Sequence, residues 1–248
     1  ITSEKISIGP PFYNKLIAPL LIPFMLFMAI GPKLKWIKSG LQNRLHLIIF
    51  LIISILLSIF IIKSFRANFL LNTILVSSAF YLFFITLRDF LTSKFQNISQ
   101  NLAHFGFSLL ILSILFNNIF STEIITNMKI GETFESKNFK INFENIDQKK
   151  EKNFQAIIGK FNIENLNGST EILQPQLRIY NQPNIVTSEA DIKTNLLTDK
   201  FMTMNVVQNQ DYFNIRYQIK PFMIWIWFSV LLISAGGFIS LFKKRKRI

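Results

Sequence analysis

The chemistry open to this chain is narrow. Its 248 residues include two histidines and no cysteine, so disulfides, thiolate metal sites and cysteine nucleophiles are excluded. His104 lies in Asn101-Leu102-Ala103-His104-Phe105-Gly106-Phe107, within an apolar run. A ring nitrogen surrounded by hydrocarbon needs a partner, so an intramembrane histidine marks a functional site by default. On a helix, Asn101 and Ser108 share its face at i−3 and i+4, and either could orient the imidazole. Two uses fit such a ring: a neutral nitrogen bound to haem iron, or a hydrogen bond to a neighbouring helix. His46 follows Arg44 at the end of another apolar run and reads as an interfacial histidine; a bis-His site within the chain is the alternative. Asp89 adjoins Arg88 and is expected to pair with it. No nucleotide-binding loop, HExxH helix or GxSxG elbow is present, and the carboxylates show no paired spacing. Nothing resembles a self-contained hydrolase.

The elements that must carry these residues are membrane helices. Residues 222–242 read FMIWIWFSVLLISAGGFISLF without a charge and are followed by Lys243, Lys244, Arg245, Lys246 and Arg247. A bilayer core takes about 20 apolar residues as a helix. Four further apolar runs, 16–30, 45–62, 69–87 and 102–116, predict five spans in all. Pro19 and Pro23 should kink the first. Ala235-Gly236-Gly237 allows close helix approach in the fifth, and Trp225 and Trp227 read as interfacial anchors.

Charge orients the bundle. With the basic tail inside, the inner segments carry eleven Lys or Arg and the outer ones, residues 1–14 and 63–68, carry three, as the positive-inside rule requires. Residues 121–220 hold 12 basic and 12 acidic residues, so the net charge of +13 flanks hydrophobic segments and is no nucleic-acid signal. The N-terminus and residues 121–220 are therefore expected outside and the C-terminus inside.

Residues 121–220 alternate apolar and polar side chains at Phe139-Lys140-Ile141-Asn142-Phe143 and Lys160-Phe161-Asn162-Ile163, the period of half-buried strands. Asn167-Gly168 marks a hairpin. Residues 187–195 are expected to form a short helix. The fold class is thus a five-helix transmembrane bundle with one extracytoplasmic antiparallel β-domain, a small barrel or sandwich. Its parts are residues 1–120 (an outer N-terminal segment and four helices), the β-domain 121–220, and the last helix with its basic tail, 221–248. Both ends of the β-domain enter the membrane, which places the fourth and fifth helices near each other. Ile1 in place of Met is expected of processing or of a piece of a longer protein.

Several segments form an ordered set: Ser7-Ile8-Gly9-Pro10-Pro11-Phe12-Tyr13-Asn14, Gly31-Pro32-Lys33-Leu34-Lys35-Trp36, Leu102-Ala103-His104-Phe105-Gly106, Arg178-Ile179-Tyr180, Thr187-Ser188-Glu189-Ala190-Asp191-Ile192, Lys220-Pro221-Phe222 with Trp225-Ile226-Trp227, and Gly236-Gly237. In order and spacing this set resembles the C-terminal part of the CcmF family, the membrane haem lyases of cytochrome c maturation. The resemblance implies attachment of haem, a transient substrate, to the CXXCH motif of apocytochrome c. It also implies a transmembrane b-type haem reduced by quinol electrons. His104 occupies the position of one axial ligand of that haem, and the second axial histidine would come from outside this chain. The Trp-rich haem-handling segment and its two outer histidines belong upstream, and no WWD run is present here. The implied partners are the N-terminal part of the lyase, other maturation proteins including the haem chaperone, apocytochrome c and membrane lipid, with no nucleic acid. The implied location is the bacterial inner membrane, or the mitochondrial one. No residue is assigned to the thioether chemistry. The alternative is a non-haem membrane subunit of a transporter or assembly complex with an extracytoplasmic interaction domain.

Overall fold

A computed structural model describes residues 10–33, 45–63, 69–92, 97–207 and 211–242. The motif residues Ser7-Ile8-Gly9 and Leu34-Lys35-Trp36 lie outside the described residues, as do the basic tail 243–248 and most of the short loops used for orientation. The described residues divide into a helical unit, up to residue 115 and again from 225, and a second unit, 116–224.

Five helices are long and apolar enough to cross a membrane: α1 (Pro10–Ile30), α2 (Leu45–Ile62), α3 (Phe69–Thr92), α4 (Ile98–Phe120) and α5 (Met223–Phe242). Three outrun their apolar cores. α1 begins six residues before Leu16, α3 runs five past Leu87, and α4 adds four residues at each end. Polar residues at these ends cost little where water and headgroups can reach them, so helical hydrogen bonding continues past the hydrocarbon. α1 carries Pro19 and Pro23 within its length.

The third helix is the centre of the helical unit. Half of its membrane-length window is buried, against 11–22% for the other four helices. Val76, Ala79, Leu82 and Ile85 are shielded from solvent. α2 turns Ser54, Ser58 and Ile62 inward, and Phe50 packs on Phe84 at 5.9 Å. From α4, Phe105 lies 5.7 Å from Phe83 and 5.4 Å from Phe90. α5 joins α4 through small residues. A Cβ on Gly106 would come within 2.9 Å of the Leu232 Cβ, and one on Gly236 within 2.8 Å of the Ala103 nitrogen and the Ser99 oxygen. The Ser99 hydroxyl donates to the Gly236 carbonyl at 2.7 Å. Because lipid is as apolar as leucine, such close backbone approach and interhelical hydrogen bonds are what hold membrane helices together. The expected proximity of the fourth and fifth helices is thus realised at Gly236.

In the second unit the strands form a sandwich. One sheet holds β1 (Thr122–Met128), β10 (Phe213–Pro221), β9 (Thr198–Val206) and β8 (Asp191–Thr194) in that order. The other holds β2 (Thr133–Glu135), β3 (Phe139–Lys150), β4 (Phe154–Asn165), β6 (Gln176–Asn181) and β7 (Asn184–Glu189), with β5 (Thr170–Leu173) also paired to β4. All pairings are antiparallel. Alternate residues point inward as period two requires: Phe139, Ile141 and Phe143 on β3, Phe161 and Ile163 on β4, Met202 and Met204 on β9, Ile215 and Tyr217 on β10. The Phe143 and Phe161 rings stack at 4.3 Å. Gly168 takes a positive φ of 75° in the β4–β5 turn, where the Asn165 N–H donates to the Ser169 carbonyl at 2.9 Å. This is the hairpin that Asn167-Gly168 signalled.

The expected helix at 187–195 is instead a pair of strands, β7 and β8, that carry the chain from one sheet to the other. Sheet partners override the local reading. Thr187 and Ser188 pair with Arg178 and Leu177, the Ser188 hydroxyl donates to the Met204 carbonyl at 2.8 Å, and Asp191 accepts the Gln174 N–H at 2.6 Å.

Where β10 leads into α5, Phe222 sits at φ 62°, a left-handed conformation that is strained for a bulky side chain. Its surroundings enforce it. The Phe222 N–H donates to the Leu197 carbonyl at 2.8 Å, its ring packs on Phe116 at 5.2 Å, and the Asn117 amide donates to the Pro221 carbonyl at 2.6 Å.

Two predictions follow from these contacts. Gly236→Ala forces a methyl against the α4 backbone, so thermal unfolding of the detergent-solubilised chain should show a loss of about 1–3 kcal/mol. In the β-domain, burial holds the Asp199 carboxyl above the usual carboxylate range, offset in part by a Thr194 hydrogen bond, and its Oδ1 is buried without a partner among the described residues. The ionised form therefore penalises the fold. The penalty is absent below the unfolded-state pKa and grows to its full size as pH rises through the folded-state value. Asp199→Asn should raise the β-domain melting temperature at pH 7, measured by strand circular dichroism, with the gain over wild type disappearing near about pH 3.

Candidate functional site

Three helix segments converge at His104. It lies one turn after Asn101 and one before Ser108 on α4, and these two side chains stitch the helix to α3. The Asn101 amide donates to the Asp89 carbonyl at 3.2 Å. The Ser108 hydroxyl is 2.8 Å from that of Thr86 and also bonds the Phe105 carbonyl of its own helix at 2.8 Å. Thr86 and Asp89 stand one turn apart on α3, so two rungs join the helices above and below His104. Neither Asn101 nor Ser108 bonds the imidazole. Among the described residues no hydrogen bond reaches either nitrogen of the half-buried His104 ring.

Beside the ring lies a pocket with room of about 20 Å³ for water. Met28, Pro32 and Ile85 form its apolar walls, and Thr86, Asp89, Gln100, Asn101 and His104 supply its polar lining. Pro32 belongs to the turn Gly31–Lys33 that ends α1, and the next residue closes the site. The Lys33 ammonium bonds both Asp89 carboxylate oxygens, at 2.6 and 2.7 Å. The side chains are 18% and 30% exposed, so the pair is far better shielded than a surface salt bridge.

The expected Arg88–Asp89 ion pair is present at 3.9 Å, and Asp89 has a second, closer partner in Lys33, 56 positions away in sequence. Arg88 also donates toward His46 Nε2 at 3.2 Å. Adjacent residues on a helix point about 100° apart and do not face each other, so Asp89 turns to α1 and Arg88 to α2. His46, with its ring against Phe50 at 6.3 Å, is engaged at this contact and does not line the His104 pocket.

The His104 ring is thus offered at this site without a hydrogen bond among the described residues, and no cluster of three or more His, Cys, Asp or Glu able to hold a metal occurs among the described residues. His104 would be the residue of this chain to hold a haem iron, through one imidazole nitrogen, with any second ligand supplied from elsewhere, and the haem would supply one-electron chemistry there. Lys33 and its bond to Asp89 carried no local signal in the sequence; the Gly31-Pro32-Lys33 motif marked the residue without showing its partner.

Comparison with known proteins agrees with this architecture. Residues 119–221 match the family model described as the CcmF C-terminal beta-sandwich. The cytochrome c-type biogenesis protein CcmF of Escherichia coli (strain K12) is 24% identical over 252 residues, covering 98% of this chain and 39% of that protein. The CcmF of Haemophilus influenzae is 27% identical over 261 residues, with 98% and 40% covered. The chain thus spans about two fifths of the length of these relatives. A solved structure titled cytochrome c heme lyase CcmF shares the fold with a TM-score of 0.69 at 20% identity, over 95% of this chain and 41% of that one. With five helices long and apolar enough to cross a membrane and a β-sandwich over the residues that the family model matches, the chain is an integral membrane protein similar in sequence and fold to the C-terminal part of CcmF.

Proposed function

We propose that this chain is the C-terminal portion of a membrane haem lyase of cytochrome c maturation, in which His104 supplies one axial ligand to a b-type haem within the membrane. The observation that carries the reading is the His104 ring: half-buried on α4, bonded by no protein group among the described residues, while its helix-face neighbours Asn101 and Ser108 are committed to α3. An imidazole placed in hydrocarbon without a protein partner is costly unless something else binds its nitrogen. The second axial ligand comes from outside this chain, since His46 is held by Arg88.

When bound, a b-type haem would supply one-electron reducing power, with quinol as the donor, for keeping the incoming haem iron reduced. The residues of this chain have simpler tasks. The Thr86–Ser108 and Asn101–Asp89 contacts fix the rotation of α4, which sets the direction of the His104 ring. Phe105 of α4 packs against Phe83 and Phe90 of α3, which holds the two helices together on the neighbouring face. The Lys33–Asp89 pair holds the end of α1 against α3. The distribution of basic residues supports an orientation with the C-terminus and the His104 level toward the inner side of the bacterial inner membrane, or of the mitochondrial one, and the sandwich outside. There the sandwich would present a docking surface to apocytochrome c, to the N-terminal part of the lyase, or to the haem chaperone and other maturation proteins.

The test is the visible spectrum of the chain purified with its N-terminal part. Wild type and His46→Ala should show the absorption bands of a six-coordinate b-type haem, and His104→Ala should lose them. An unchanged spectrum in His104→Ala would remove the ligand role. Absence of haem from every form would favour a non-haem transporter or assembly subunit.

A further inference from the structure

His104 and Asp89 line the same small pocket, but no direct bond joins them. The pocket's room of about 20 Å³ for water suits one molecule, which needs two to four polar partners to be held there. The pocket offers them. Lys33 occupies one lone pair on each Asp89 oxygen, and a carboxylate has about four acceptor sites, leaving two. The Asn101 amide, anchored through one N–H to α3, and the Thr86 hydroxyl complete the lining. Asp89 is itself immobilised by Lys33, so its free lone pairs have a fixed position relative to α4.

We propose that a water in this pocket bridges a ring N–H of His104 to the Asp89 carboxylate, making Asp89 the positioning residue for the imidazole. The inference rests on His104 being an iron ligand. A ligating histidine usually donates its other N–H to a carboxylate, carbonyl or water, which fixes the tautomer and makes the bound nitrogen more electron-donating. Lys33 then has a second effect: by sharing the carboxylate it moderates how strongly Asp89 draws that proton.

The test uses the haem-loaded assembly with two readouts, the midpoint potential and the iron–imidazole stretching frequency by nuclear resonance vibrational spectroscopy of isotopically labelled haem iron. Asp89→Asn should retain the b-type haem, raise the potential and lower the stretching frequency, and Asp89→Glu should restore both in part. Lys33→Gln breaks the same ion pair but leaves the carboxylate as a stronger acceptor. It should move the potential downward and leave the frequency at or above wild type. If Asp89 serves only to clamp α1 to α3, the two variants break the same clamp and shift the frequency the same way, which would overturn the proposal. An unchanged frequency in Asp89→Asn would overturn it too, since a remote charge alters the potential without touching the ligand bond. Should Asp89→Asn fail to assemble, Lys33→Gln decides: a frequency below wild type overturns the water bridge. Retention of haem by His104→Ala would overturn the ligand reading instead, and is a separate measurement.

Discussion

In hydrocarbon a polar side chain has no water to fall back on, so each must find its hydrogen bond within the protein or act on something the protein binds. The helical unit obeys this closely. Ser54, Ser58 and Ser229 return their hydroxyls to carbonyls of their own helices. Thr86 and Ser108 satisfy each other, Ser99 reaches Gly236, Asn101 reaches the end of α3, and Lys33 and Asp89 neutralise one another. Against that background the bare imidazole of His104 stands apart. The same constraint that makes the polar stripe a set of helix-to-helix bonds makes this ring, unbonded among the described residues, the candidate binding group proposed above.

Packing and polarity divide the labour. α3 takes the central place because α1, α2 and α4 all cover it, and large aromatics fill the gaps between helices. α5 is added by a different device, the near-contact of backbones at Gly106 and Gly236. A leucine zipper gains little in lipid, whereas close backbone contact gains dispersion energy and admits the Ser99–Gly236 hydrogen bond. The sandwich follows the opposite logic. Burial of Phe143, Phe161, Met204 and Tyr217 drives it, and its exposed ion pairs, Lys140–Glu135 and Lys149–Glu151, contribute little.

At the end of β10, Phe222 shows how tertiary context overrides a residue's own preference. A phenylalanine at positive φ is held by its N–H on Leu197 and its ring on Phe116, while Asn117 takes the neighbouring Pro221 carbonyl. These contacts, all within the second unit, bring residues 116 and 117 against residues 221 and 222. Strain of about 1–3 kcal/mol is tolerated where several contacts over-determine the backbone.

Much of the architecture was legible in the chain itself. The five spans follow from apolar length, the strands from alternation at 139–143 and 160–163, the β4–β5 turn from Asn167-Gly168, and His104 from being a lone imidazole in an apolar run. These are properties of one segment and its solvent, which is why they need no fold to be read. The partners of the polar residues were not legible. Asn101 and Ser108 share a face with His104, but whether they bond the ring or the next helix depends on which helix stands opposite. Asp89 pairs loosely with its neighbour Arg88, as its sequence position suggested, but its closest partner is Lys33, which a distant segment brings to it. Residues 187–195 became strands because two sheets offered edges to pair with. Composition and periodicity determined which groups must be buried and which must be wet; only the tertiary structure decided who satisfies whom, since hydrogen bonds between elements depend on distances that no local pattern encodes.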